Sequence, residues 1–476
     1  MVLRPGSPST PQVEFSWGRP HKGKYAQGGR VFNLRPVLVR HYPVTRAALS
    51  VVKLIESIRR PSQVTSEGHI MAKGSTWAKR IVLGIVGLIV LLLVAVVGAL
   101  LYFQIPTNAS AMAAESVCSA AFMAGRPTEN LMADDVLPAS AVLKAISVDV
   151  DETNHSVKAK FAGLFPRQAS LLPNRGCVLD EAPDPASQAY VPTSDLTQPW
   201  PAGDAPIPAS ELPAGVNMDA LNQVVEQAFV GAGDPAAANA RGVAVVKDGK
   251  LLTAREAPGF ENGTGLMGWS MTKSVGGMLA YKVATDAGLD FGTPVVDAFP
   301  ADQEPEWVAQ WRTDERANIT VADLVFMRDG LANTESYDPW SAVPQMLYGE
   351  PNMAQWAAEK PAEVPAGTRW QYLSATSNIL AAVARGQFDS DAAYWAYPQQ
   401  TLFDPIGAKS ASLATDTAGT WVSSSYLWAD VTDWARFGQL GLQDGQWNGT
   451  QVLPPGWQNW ASQQAMTQGE GAGYGA

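Results

Sequence analysis

From Ile81 to Phe103 the chain runs for 23 residues without a charged side chain. A helix of about 20 apolar residues crosses the hydrocarbon of a bilayer, so this stretch is expected to be one transmembrane helix that leaves the rest of the chain in two different solvents. Lys73, Lys79 and Arg80 stand just before it, and the preference of basic flanks for the cytoplasmic side predicts an N-in, C-out orientation. A cleaved signal peptide has a shorter apolar core, about 7 to 15 residues. Ala111-Met112-Ala113 nevertheless offers a small-residue cleavage site, so secretion after cleavage is the alternative to an uncleaved anchor.

Charge follows the same division. Residues 1–105 carry 14 Lys and Arg against 3 Asp and Glu, and the remainder carries 20 against 42. So acidic a part repels phosphates, which excludes nucleic acid as its partner. Residues 1–70 are rich in Arg, Pro and Ser without periodicity, and read either as a disordered basic extension or as residues upstream of a true start at Met71. Residues 71–105 then form the anchor, with the span at 81–103.

Past the membrane, Ile146–Asp151 and Ser156–Phe161 alternate in polarity around a short polar turn and predict a hairpin, so residues 106–180 are expected to form a small extracytoplasmic β-containing region. Residues 181–215 include eight prolines between Pro183 and Pro213, the composition of an extended linker. The chain has two cysteines, Cys118 and Cys177. Both fall on the outer side, where an oxidising compartment would let them form a disulfide; two buried thiols are the other reading.

Residues 216–476 hold the chemistry. Asp248-Gly249 between two apolar runs is a hairpin signal, and a helix is expected from about Ser270 to Ala287, closed by Gly288. Ser270-Met271-Thr272-Lys273 places a hydroxyl and an amine one helical turn apart on one face. A lysine desolvated there loses basicity until it can accept the serine proton, and the helix N-terminus favours the alkoxide. All four histidines, His21, His41, His69 and His155, precede this segment, so no Ser-His-Asp triad can be built within it. The spacing alone is unspecific, since Ser50-Val51-Val52-Lys53 shares it. Gly263-x-Gly265-x-x-Gly268 has dinucleotide spacing but leads into this helix rather than a parallel βαβ unit. No metal constellation is evident, and no cofactor is expected.

Context comes from several blocks in order. Gly268-Trp269-Ser270-Met271-Thr272-Lys273-Ser274-Val275 is followed by Leu324–Leu331, Glu335-Ser336-Tyr337, Gly367-Thr368-Arg369-Trp370-Gln371-Tyr372-Leu373-Ser374, Ser424-Ser425-Tyr426, Asp433–Gly438 and Val452-Leu453-Pro454. Together these resemble the 6-aminohexanoate-dimer hydrolase group of serine hydrolases, relatives of class C β-lactamases and penicillin-binding proteins, over about residues 240–476. The resemblance implies an α+β fold with a β-lactamase-like antiparallel sheet and a helical domain. It implies Ser270 as the acylated nucleophile, Lys273 as its general base and Tyr372 as the proton shuttle to the leaving group. Ser374 would support the Lys–Tyr network, and Tyr337 would line the substrate pocket.

The expected function is therefore a serine hydrolase acting on an ester, a linear amide or a β-lactam, with a small molecule or short peptide as substrate. A bacterial inner-membrane protein with a periplasmic catalytic domain is the expected setting. Family members continue into closing strands that supply a second oxyanion donor, whereas this sequence stops at Ala476, so a C-terminally truncated, poorly active fragment is expected. A noncatalytic cell-wall or peptide-binding protein of the same fold is the alternative.

Overall fold

A computed structural model describes residues 74–229, 240–467 and 469–475. The readings made for residues 1–70 and Met71 lie outside these. Of residues 1–81, the structure describes only the opening turns of helix α1 (Gly74–Tyr102). Its stretch Arg80–Tyr102 is long and apolar enough to cross a membrane. The apolar side chains that follow Arg80 are exposed almost throughout, unlike those of a core helix.

Helix α2 (Ile105–Cys118) has Pro106 in its first turn, where a missing N–H costs nothing. It is almost wholly buried, and its small residues Ala111, Ala113 and Ala114 let its backbone lie close against a sheet. That sheet is an antiparallel meander of β1 (Ile146–Asp151), β2 (Ser156–Phe161), β3 (Leu164–Leu172) and β4 (Gly176–Leu179). The hairpin expected from alternation pairs as Val148 opposite Ala159, and two further strands extend it. Cys118 at the end of α2 is joined to Cys177 on β4, with Cα atoms 6.0 Å apart.

The sequence boundary near 181–215 does not divide the core. Val117, Phe122, Val157 and Leu171 belong to one buried cluster with Trp307, Trp311, Ile379 and Trp428. The proline-rich stretch also packs instead of spacing. Trp200 is 3% exposed within the second core cluster, edge-on to Trp447 at 5.7 Å between ring centroids. Asp204 accepts from the buried Arg436 at 2.9 Å. Proline density here straightens the chain, but the Trp200 ring and the Asp204 carboxylate dock it.

Helix α3 (Met218–Phe229) leads to a second hairpin, β5 (Gly242–Lys247) and β6 (Lys250–Glu256). Asp248 and Gly249 both adopt positive φ, 52° and 74°, the turn that matches strand twist. β7 (Leu266–Met267), β8 (Ser412–Leu413) and β9 (Leu427–Ala429) form a three-stranded antiparallel sheet in the order β7-β9-β8. Helix α4 (Thr272–Ala287) follows β7 and ends at Gly288, whose φ of 69° allows its N–H to cap the last turn. It packs on helix α5 (Ser374–Arg385). Helix α6 (Val431–Leu442), capped by the Asp430 carboxylate, lies on the β5–β6 hairpin.

Candidate active site

Ser270 sits in a tight 3-10 turn, Trp269–Met271, just ahead of α4. Two contacts fix this turn to β9: the Gly268 N–H donates to the Leu427 carbonyl at 2.8 Å, and the Leu427 N–H donates to Thr272 Oγ1 at 3.2 Å. Position 268 must be glycine on steric grounds, because a Cβ there would lie 2.4 Å from the Trp434 ring. Trp269 has a φ of 44°, the left-handed region, which costs a bulky residue of order 1–3 kcal/mol. That conformation stands directly before Ser270.

Around Ser270 the structure gathers the groups singled out in the sequence. Lys273 Nζ lies 2.9 Å from Ser270 Oγ and 3.1 Å from Ser374 Oγ, and donates to the Ser424 carbonyl at 3.0 Å. The lysine is also 4.8 Å from the centre of the Tyr372 ring. Burial lowers its pKa from 10.5 to about 8, against an opposing pull from the Glu335 carboxylate. Tyr372 is held above the ordinary tyrosine value by burial, which the hydrogen bond with Ser270 partly offsets. Ser270, Lys273, Tyr372, Trp370, Trp421 and Tyr474 share a cavity of about 250 Å³.

Glu335 holds this cluster from behind. One carboxylate oxygen accepts from the Ser374 N–H and the other from Ser374 Oγ, each at 2.7 Å. The Tyr337 hydroxyl also donates to it at 2.7 Å, and desolvation with this carboxylate contact pushes Tyr337 up to about 12. Tyr337 is therefore coupled to the cluster through Glu335, with its ring exposed. Sequence reasoning quoted the Glu335-x-Tyr337 pair but assigned a role only to the tyrosine. The signal was present in a carboxylate two residues from a pocket aromatic. Trp269 was passed over as well, since nothing in a sequence marks a tryptophan as left-handed.

A family model described as Beta-lactamase matches residues 221–476. No curated protein matches the chain. Among solved structures the chain is similar to a Bacillus anthracis protein assigned as a 6-aminohexanoate-dimer hydrolase, at 21% identity and a TM-score of 0.40, covering 49% of this chain and 63% of that one. It is similar also to the octameric penicillin-binding protein homologue of Pyrococcus abyssi, at 14% identity and a TM-score of 0.39, covering 55% and 64%. A third is the D-alanine carboxypeptidase AmpC of Burkholderia cenocepacia, at 16% identity and a TM-score of 0.35, covering 51% and 68%. The chain thus spans under two thirds of the first two proteins.

Proposed function

Because the chain belongs to the beta-lactamase family of serine hydrolases, we propose that it cleaves an ester, a linear amide or a β-lactam through an acyl-enzyme on Ser270. The observation that carries this reading is the 2.9 Å contact between Ser270 Oγ and a lysine amine whose pKa has fallen to about 8. At pH 7 a lysine of pKa 10.5 is neutral in about 0.03% of molecules and one of pKa 8 in about 9%. Burial thus raises the supply of free base about 300-fold.

In the reaction, Lys273 takes the Ser270 proton as Oγ bonds to the substrate carbonyl carbon. The tetrahedral oxyanion then collapses, the bond to the leaving nitrogen or oxygen breaks, and Tyr372 gives its proton to that atom while Lys273 passes the proton it took from Ser270 to the Tyr372 oxygen. Water attacks the acyl-enzyme in the second half, with the same groups accepting and returning its proton. Ser374 and Glu335 hold the lysine in place and set its basicity.

The apolar helix α1 is proposed to anchor the protein in a membrane with the hydrolase outside. The flanking Lys73, Lys79 and Arg80 and the paired cysteines, which persist in oxidising compartments, support that orientation. Capture of a fluorophosphonate by the full chain, read by intact mass and lost in Ser270→Ala, tests the nucleophile. Labelling that survives in Ser270→Ala, or no labelling of the parent protein, refutes it.

A further inference from the structure

The hydrolase domain is joined to helix α1 by almost no linker. α1 ends at Tyr102 and α2 begins at Ile105, so three residue steps, a reach of about 11 Å at most, separate the apolar helix from a residue that is already buried. The two residues between them are hydrogen-bonded. The Phe103 N–H donates to the Ala99 carbonyl and the Gln104 N–H to the Leu101 carbonyl, while the Gln104 carbonyl accepts from the Asn108 N–H. One helix thus passes into the next through a single left-handed residue, Gln104 at a φ of 54°, and the domain does not swing on a free tether. Scattered apolar side chains on a surface are ordinary, but a cluster marks an interaction site, and five stand at this junction. Ile105 lines a cavity of about 350 Å³ whose rim carries Val142, Trp269 and Tyr337, which are 40%, 42% and 59% exposed. Trp340, exposed as well, follows Pro339 in the same lining. Leu164, 63% exposed, stands opposite Phe161 at the β2–β3 turn, and the Phe161 N–H donates to Ser110 Oγ on the second turn of α2.

Resting on the reading that α1 spans a membrane, we propose that this rim is seated on the outer surface of that same membrane, with Val142, Leu164, Trp269, Tyr337 and Trp340 among the lipid headgroups. Continuity argues for the partner, because the rim surrounds the first residue of the domain beyond the span. Composition argues for the depth. Trp and Tyr concentrate where hydrocarbon meets water, and the paired rings of Tyr102 and Phe103 already mark that level at the end of α1. Charge argues for the lipid: residues after 105 carry 20 Lys and Arg against 42 Asp and Glu, and Asp338 is exposed at the rim, so zwitterionic headgroups fit and anionic ones are repelled. The cavity lining also holds buried Asn108 with both amide atoms unpartnered, so the bilayer meets the rim and does not fill the interior. Trp269 directly precedes Ser270, which places the candidate nucleophile's turn at the membrane surface.

The test uses the full chain in phosphatidylcholine vesicles, with the native cysteines paired and a polarity-sensitive fluorophore on one introduced cysteine at a time. Leu164→Cys and Trp340→Cys report the rim, Leu91→Cys reports α1, and Leu442→Cys reports an exposed site at the end of α6. Labels at 164 and 340 should emit further to the blue than the label at 442 and lose most of the iodide quenching that it keeps. Val142→Asp together with Trp340→Asp should return the label at 164 to the quenching seen at 442, because a carboxylate resists leaving water. Rim labels quenched as freely as the label at 442, with the label at 91 still protected, overturn the seating and leave the anchor standing. A label at 164 that stays protected beside the two aspartates overturns the rim as what holds the domain down. A label at 91 open to iodide removes the anchor and the seating together.

Discussion

Replacing Glu335 by Gln probes the electrostatic heart of the site. Lys273 Nζ is 3.1 Å from Ser374 Oγ, which is 2.7 Å from Glu335 Oε1, so the two charges are no more than about 6 Å apart. At an effective dielectric of 20 such a pair is worth about 3 kcal/mol, and roughly half of that where water reaches both side chains. Half corresponds to about one pH unit. The carboxylate favours the charged lysine, so its removal lowers the lysine pKa, and the reactive neutral amine appears at lower pH. The rate of fluorophosphonate capture should rise with pH in the parent protein with a midpoint near 8, and in Glu335→Gln with a midpoint near about 7. The plateau at high pH should meanwhile drop about tenfold, because Ser374 loses charge-assisted partners for both its N–H and its hydroxyl. A midpoint that stays in place or moves to higher pH would show that Lys273 is not the base, or that Glu335 does not act on it.

Tyr372→Phe should lower turnover of an amide substrate about 10²- to 10⁴-fold while fluorophosphonate capture, whose fluoride needs no proton to leave, falls far less; equal losses in the two assays would remove the shuttle role. Cys118→Ser opens a loop of 59 residues, which the chain-entropy relation values at about 4 kcal/mol, and a calorimetric Tm unchanged from the parent would contradict it. Gly268→Ala drives a methyl into the Trp434 ring, with an expected cost of about 1–3 kcal/mol and slower capture; an unaltered Tm would show that the ring yields freely.

How much of this was legible in the sequence varies with the range of the interactions involved. Local rules carried the apolar helix, the Asp248-Gly249 turn and the start and stop of α4, because each is decided within a few residues by burial, φ preference or capping. The Ser270, Lys273, Tyr372 and Ser374 grouping depended on ordered motifs, and the structure brings all four together. What escaped was set by contacts distant in sequence. Nothing near Trp200 says that it meets Trp447, and nothing near Ala113 says that α2 completes a core containing Trp311. A proline-rich stretch reads as a spacer when only its backbone is considered. Its packed tryptophan and its aspartate on Arg436 make it a strap.

The shared core bears on how such a protein is cut and recombined. The family match begins at residue 221, yet Val117, Phe122, Val157 and Leu171 lie in the same cluster as Trp307 and Ile379. Excision at the matched boundary would leave those partners facing water and strip away α2 and Trp200. The unit that inheritance recognises is thus smaller than the unit that folds. Grafting the hydrolase elsewhere would have to carry residues from Ile105 onward, and exchange of the early segment between relatives would change the stability of the whole core.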